Sequence, residues 1–173
     1  MKNSPDAIVY FFDEGRFGLQ PNLGRRWARK GVRPIATVKT GYENFYVYSA
    51  VCPSTGEHVS LFLPWVNTEM MNIYLKHLGA SLNGQRCLLI LDKAGWHSSK
   101  ALQLPSNIEL VFLPPRSPEL NPVERLWNWL KRNCIRNRFY QKLDEIMDSI
   151  LEHMQEVTTD TLKNMCKCNY LLH

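Results

Sequence analysis

Three acids in this chain stand where acids can do chemistry. Asp13 follows the apolar run AIVYFF, Asp92 follows RCLLIL, and Glu124 comes shortly after LPPRSPELNP. The run LLIL at 88–91 reads as a strand buried on both faces. An aspartate at its end either caps the next turn or holds something cationic. In open sheets with parallel strands, ligand sites gather at the carboxyl ends of those strands. If the first strand pairs beside 86–91, Asp13 and Asp92 become neighbours at one end of the sheet. Glu124, in the first turn of a following helix, then packs across them. Carboxylates brought within a few ångströms repel strongly unless one is protonated or a cation sits between them. Hard oxygen donors suit magnesium or manganese, and two such ions can clamp the attacking and leaving oxygens of a phosphoryl transfer. Each acid alone has a plainer reading, as a turn closer, a cap or a partner for the helix dipole. All three on converging elements point to a metal site.

The elements that must position them can be read from pattern. Ala7–Phe12, Pro34–Thr40, Asn44–Cys52 and His58–Leu63 are strand-like and separated by turn residues, which predicts an antiparallel meander. Asn67-Thr68 can cap a helix through Leu78, with Gly79 just past its end. Arg86–Leu91 and Ile108–Leu113 read as strands, with a short helical turn at Ser98–Leu102 between them. Strand, crossover, strand implies parallel neighbours joined right-handedly. Val123–Arg132 is predicted helical, with Asn121 as its N-cap and Pro122 at its first position. A last helix is predicted over Leu143–Val157, where apolar residues recur at helical spacing. Its other side carries Asp144, Asp148, Glu152, Glu156 and Asp160, an acidic stripe that faces solvent or docks a basic partner. The expected fold class is α/β, a mixed sheet of antiparallel meander plus parallel strands flanked by helices, in one domain with a helical tail at 143–173.

Composition agrees with that picture. At 173 residues, 45% of them hydrophobic, the chain is long enough to bury a substantial core. No apolar run approaches the roughly 20 residues needed to span a bilayer, and the start MKNSPDAIVYFF is no secretory signal. Of the cysteines, Cys52 and Cys87 read as buried apolar residues and Cys166 and Cys168 as reduced surface thiols. The formal net charge is +5, and its distribution is uneven. Gly15 to Tyr42 holds Arg16, Arg25, Arg26, Arg29, Lys30, Arg33 and Lys39 with no acid. Arg125 to Lys142 holds Arg125, Lys131, Arg132, Arg136, Arg138 and Lys142, again with no acid. Such stretches attract polyanions, because each phosphate neutralised releases condensed counterions.

The segments FDEGRFGL (12–19), LDKAGWHSSKAL (91–102) and LPPRSPELNPVERLW (113–127) together resemble the catalytic domain of DDE-type transposases, in the bacterial insertion-sequence branch of the mariner-like superfamily. The resemblance runs from about residue 7 to residue 132, and PPRSPELNPVE is its most specific part. It implies a ribonuclease-H-like fold with Asp13, Asp92 and Glu124 as the catalytic and metal-binding acids. Glu14 and Glu119 fall on non-catalytic positions. It further implies two Mg²⁺ ions (Mn²⁺ as substitute), DNA strand cleavage followed by strand transfer, double-stranded DNA as partner, a homodimer in the active complex, and a cytoplasmic, nucleoid-associated bacterial setting. Arg16, Arg25, Arg26, Arg29, Lys30, Lys93, His97, Arg116 and Lys131 are the expected DNA contacts, with Ser117 beside Arg116, while Trp96 next to His97 reads as a packing residue ahead of a contact.

The sequence departs from the family pattern in three places. Lys93 stands where such sequences often carry Asn or Gly. If the backbone stays extended through this pair, Lys93 points away from the acids. Thirty-one residues separate Asp92 from Glu124, slightly fewer than is usual. Only about six residues precede the first strand, where relatives carry helix-turn-helix segments, so the chain reads as a catalytic domain alone. Two rivals follow: a non-catalytic DNA-binding remnant, and another nuclease on the same fold, such as a hybrid ribonuclease or a resolvase.

Overall fold

The computed structural model describes residues 7–20, 29–31 and 42–168. The expected strand at Pro34–Thr40, together with Arg25 and Arg26, lies outside the described residues. Five strands form one mixed sheet: β1 (Ile8–Gly18), β2 (Asn44–Val51), β3 (His58–Leu63), β4 (Cys87–Leu91) and β5 (Ile108–Phe112), in the order β3-β2-β1-β4-β5. β1 pairs antiparallel with β2, and β2 with β3, as the meander predicts. β1 pairs parallel with β4, and β4 with β5, as the crossovers require.

Four α-helices cover the sheet: α1 (Thr68–Ser81), α2 (Val123–Leu130), α3 (Leu143–Glu156) and α4 (Thr159–Met165). Alternation along β1 feeds two cores, because successive strand side chains point to opposite faces. Phe11 and Phe17 enter a core with Leu126 and Trp127 of α2 and Ile146 and Ile150 of α3. Tyr10 and Phe12 enter the other, with Met71, Tyr74, Leu75 and Leu78 of α1. Helices on both faces of a mixed five-stranded sheet make a ribonuclease-H-like sandwich. Asn67 caps α1 as expected, accepting from the Met70 N–H at 2.9 Å.

Several boundaries differ from expectation, each for a local reason. β1 does not stop at Phe12; it continues to Gly18 because β2 pairs with it from Phe11 to Gly18. Asp13 and Glu14 therefore lie inside a strand, where tertiary pairing overrides a turn-like composition. Gly79 lies within α1 rather than past its end, where an added Cβ would come within 2.9 Å of Pro105. The short helical turn falls at Gly95–His97 rather than at Ser98–Leu102. α2 gives way at Lys131 to a single π-helical turn, Lys131–Ile135.

The C-terminal tail holds two helices rather than one. α3 ends at Glu156, and the Thr158 hydroxyl caps α4 by accepting from the Thr161 N–H at 3.2 Å. The acidic residues of the stripe are all exposed, but Asp160 belongs to α4. Cys166 and Cys168 are buried, not surface thiols, at 0% and 5% exposure. The tail is fastened where the Arg125 guanidinium donates to the carbonyls of Met165 and Lys167 at 3.2 and 2.8 Å.

Gly56 marks a second fastening point. Its φ is +77°, and a Cβ there would come within 1.9 Å of the Thr159 carbonyl oxygen. Gly56→Ala should therefore lower stability by about 3 kcal/mol, combining left-handed strain with a backbone clash. Thermal denaturation followed by circular dichroism checks it, and a wild-type midpoint would show that α4 does not pack on this turn.

Candidate active site

The β1–β4 register brings the first two acids together. Ile8 pairs with Cys87 and Phe11 with Ile90, and two residues further the same offset sets Asp13 level with Asp92. Asp13 lies within β1, and Asp92 lies just past the end of β4. Glu124 occupies the first turn of α2, which crosses the sheet face that Phe11 and Phe17 share. Asp13, Asp92 and Glu124 all line one cavity of about 300 Å³, whose other walls come from Lys93, Ala94 and the 113–121 segment. Among the described residues, no three His, Cys, Asp or Glu groups close to the spacing of a finished metal cage.

Asn121 fixes how α2 enters. It is buried at 5% exposure, its side-chain amide donates to the Phe12 carbonyl at 2.8 Å, and its Oδ1 accepts from the Val123 N–H at 3.2 Å. One side chain thus ties the residue before Asp13 to the residue before Glu124. The expected N-cap role is corrected in detail: Pro122 holds the cap position with helical dihedrals, and Asn121 sits one residue ahead of it.

Trp127 forms the second link. Three residues after Glu124, on a neighbouring position of the same helix face, its Nε1–H donates to Asp13 Oδ2 at 2.9 Å. Gly15 makes room for it, since a Cβ there would meet the indole ring at 2.8 Å. Burial pushes the Asp13 carboxyl up to about 7; the Trp127 hydrogen bond opposes the rise, and the charges of Glu14 and Glu124 add to it. A carboxyl so placed calls for a proton or a cation. An all-carboxylate oxygen donor set around it fits a hard divalent ion.

A second network joins β1 to the loop that carries Asp92. Glu14, on the opposite face of β1 from Asp13, accepts from Trp96 Nε1–H at 3.0 Å and stands 2.8 Å from His97 Nε2. The other ring nitrogen of His97, Nδ1, lies 2.8 Å from Asp92 Oδ1 and 3.1 Å from the Asp92 carbonyl. Burial alone would lower the His97 pKa, but the hydrogen bond and charge of Glu14, with Asp92 behind them, raise it.

The predicted contact residues divide. Arg16, Arg29, Lys30, Lys93 and Arg116 are exposed, and Lys131 is partly so. The condition that would turn Lys93 away from the acids is not met. β4 stops at Leu91, the extended pairing ends there, and Lys93 lines the same cavity as the acids while making no ion pair among the described residues. Arg116, also on that cavity, is held at φ +60°, a left-handed conformation uncommon outside glycine. His97 is not a surface contact: it is buried at 2% exposure with carboxylates at both ring nitrogens. The sequence reading set Glu14 aside and placed Trp127 only on an apolar stripe. Its i, i+3 spacing from Glu124 was the available signal for Trp127, and nothing local announced Glu14.

The ribonuclease-H-like sheet carries three acids to one cavity. The family model of the DDE superfamily endonucleases matches residues 8–147. The chain belongs to that family. Among curated relatives, it is 47% identical over 103 residues to the uncharacterized protein y4pE/y4sA of Sinorhizobium fredii, covering 59% of this chain and 76% of that one. It is 25% identical over 160 residues to the insertion element IS630 uncharacterized 39 kDa protein of Shigella sonnei, covering 90% of this chain and 47% of that one. It is 22% identical to the Tcb2 transposase of Caenorhabditis briggsae over 91% of this chain and 65% of that one. The fold matches that of the Mos1 strand transfer complex with a TM-score of 0.70 at 15% identity, covering 95% of this chain and 52% of that one. The chain thus spans about half the length of the IS630 relative and of the Mos1 structure. No helix among the described residues is long and apolar enough to cross a membrane.

Proposed function

We propose that this domain cuts a DNA strand and transfers the resulting end to a second DNA, using Mg²⁺ or Mn²⁺ held by Asp13, Asp92 and Glu124. The observation that carries the proposal is the convergence of those acids, from a central strand, a post-strand loop and a helix, on one cavity with Lys93 and Arg116 on its wall. When bound, two such ions would supply an activated oxygen nucleophile and charge neutralisation at the leaving oxygen. Asp13, Asp92 and Glu124 would hold these ions. Lys93 and Arg116 are placed to meet the non-bridging oxygens of a phosphodiester entering the cavity, where a like-charged substrate would otherwise face three carboxylates. The exposed Arg16, Arg29, Lys30 and Lys131 are suited to backbone phosphates, which position a duplex without reading its sequence. Solved relatives include a Mos1 paired-end complex with Mn and a strand transfer complex, which supports both the metal class and the DNA partner.

Plasmid nicking tests the proposal. Wild-type protein should convert supercoiled plasmid to open circles with Mn²⁺, and Asp92→Asn should lower that rate about 1000-fold. Equal rates in the two proteins would reject the assignment. A metal-independent gel shift without nicking would favour the DNA-binding remnant, a reading that Lys93 on the acid-lined cavity keeps in play. Preferential cutting of an RNA–DNA hybrid or a four-way junction would favour the other nucleases.

A further inference from the structure

Asp92 is the least restrained of the three acids by its backbone. β4 has ended, and the side chain is 63% exposed. A carboxylate in that setting samples several rotamers and offers a ligand no fixed oxygen. The described hydrogen bonds of its carboxylate nevertheless all fall on Oδ1, from His97 Nδ1 at 2.8 Å and the Ala94 N–H at 3.2 Å. His97 is in turn held from behind by Glu14, whose side chain is only 7% exposed, and its ring meets Phe12 edge-on at 5.6 Å. Glu14 belongs to β1 and pairs there with Tyr48 of β2, three residues past the end of the β1–β4 ladder at Phe11.

We propose that Glu14 and His97 are positioning residues for Asp92: a relay from the central strand that fixes Oδ1 and turns Oδ2 outward as the oxygen offered to a ligand. The inference rests on the metal reading of Asp92 given above. Neighbouring residues of β1 thereby serve both acids of the sheet. Asp13 faces the cavity itself, and Glu14, on the opposite face, reaches Asp92 through the imidazole. Metal sites depend on such outer partners, whose removal typically costs about 10- to 100-fold in affinity. A buried His–Glu pair with only a packing role would support the fold and leave the affinity of Asp92 for a cation alone.

A Mn²⁺ titration, followed through the electron paramagnetic resonance signal of the free ion, separates these roles. The proteins are wild type, Glu14→Gln, Asp92→Asn and the double variant, without DNA. Glu14→Gln keeps the shape and an acceptor oxygen while removing the charge. It should weaken Mn²⁺ binding about 10-fold, and it should add nothing in the Asp92→Asn background, since coupled residues are non-additive. His97→Gln carries the same cycle should Glu14→Gln fail to fold. Wild-type affinity in Glu14→Gln, with Asp92→Asn weakened, overturns the relay and leaves the metal reading standing. Equal weakening in both backgrounds also overturns it, because Glu14 would then act elsewhere than through Asp92. Wild-type protein that binds no Mn²⁺ overturns the metal reading and the relay together.

Discussion

Asp13→Asn should unfold at a higher temperature than wild type in metal-free buffer at pH 8, and should nick no plasmid with Mn²⁺. The stability part follows from the carboxyl that burial holds up at about 7, against an ordinary value of 3.8. The native state keeps this proton at pH values where the unfolded chain has already lost it. Stability therefore falls as pH rises from about 4 to about 7, and above 7 the full penalty for a buried charge is present. A displacement of that size would correspond to about 4 kcal/mol, and partial contact with solvent reduces that to about 2 kcal/mol. Asparagine is neutral at every pH and can still accept from Trp127 Nε1, so it removes the penalty with little loss of packing. The expected gain is about 5 °C in melting temperature at pH 8, shrinking to nothing near pH 4. The activity part follows from the same carboxylate, which no neutral amide replaces as a cation ligand. A melting temperature unchanged across this pH range would show that Asp13 ionises normally in the folded protein.

Asn121→Ala should lower Mn²⁺-dependent nicking about 100-fold while the protein stays folded. The substitution removes the bond to the Phe12 carbonyl and the one from the Val123 N–H, neither of which alanine can replace. An unpaired buried carbonyl costs about 2 kcal/mol, which a domain of this size tolerates. What suffers is alignment. Asn121 fixes the distance between the residues that precede Asp13 and Glu124, and a misplacement of about 1 Å can cost roughly 100-fold in rate. Nicking kinetics beside a melting curve decide the matter. A large loss of stability with proportionate loss of activity would make Asn121 a scaffold residue alone.

Much of this arrangement was legible in the residues, and the parts that were not share a cause. The β3 segment, HVSLFL, could be bounded to the residue because turn chemistry flanks it on one side and a helix cap on the other. The three acids could be found because each follows a strong element signal. The length of β1 could not, because Asp13, Glu14 and Gly15 look like a turn until β2 pairs with them. The direction of Lys93 could not be read for the converse reason: it depends on whether extension continues past Asp92, and β4 stops at Leu91. Glu14 and His97 are 83 residues apart and meet only through the parallel β1–β4 register. α4 was missed because its seven residues carry little apolar periodicity, and a threonine cap and the contact at Gly56 define it instead.

The position of β1 in the sheet gives the two halves of the cavity different compliances. Third of five strands, it pairs with β4 over Ile8–Phe11 and with β2 over Phe11–Gly18, and helices cover both faces, so the backbone that carries Asp13 is held in a ladder. Asp92 and Lys93 ride on an exposed loop past a five-residue strand, and Arg116 on another exposed loop. Asp92 is held at Oδ1 by His97 and the Ala94 N–H, whereas Lys93 makes no ion pair among the described residues, so moving the Lys93 side chain breaks few contacts. Should a DNA strand enter as proposed, adjustment to it falls on the Lys93 and Arg116 side chains, while Asp13 serves as the fixed reference against which that adjustment is made.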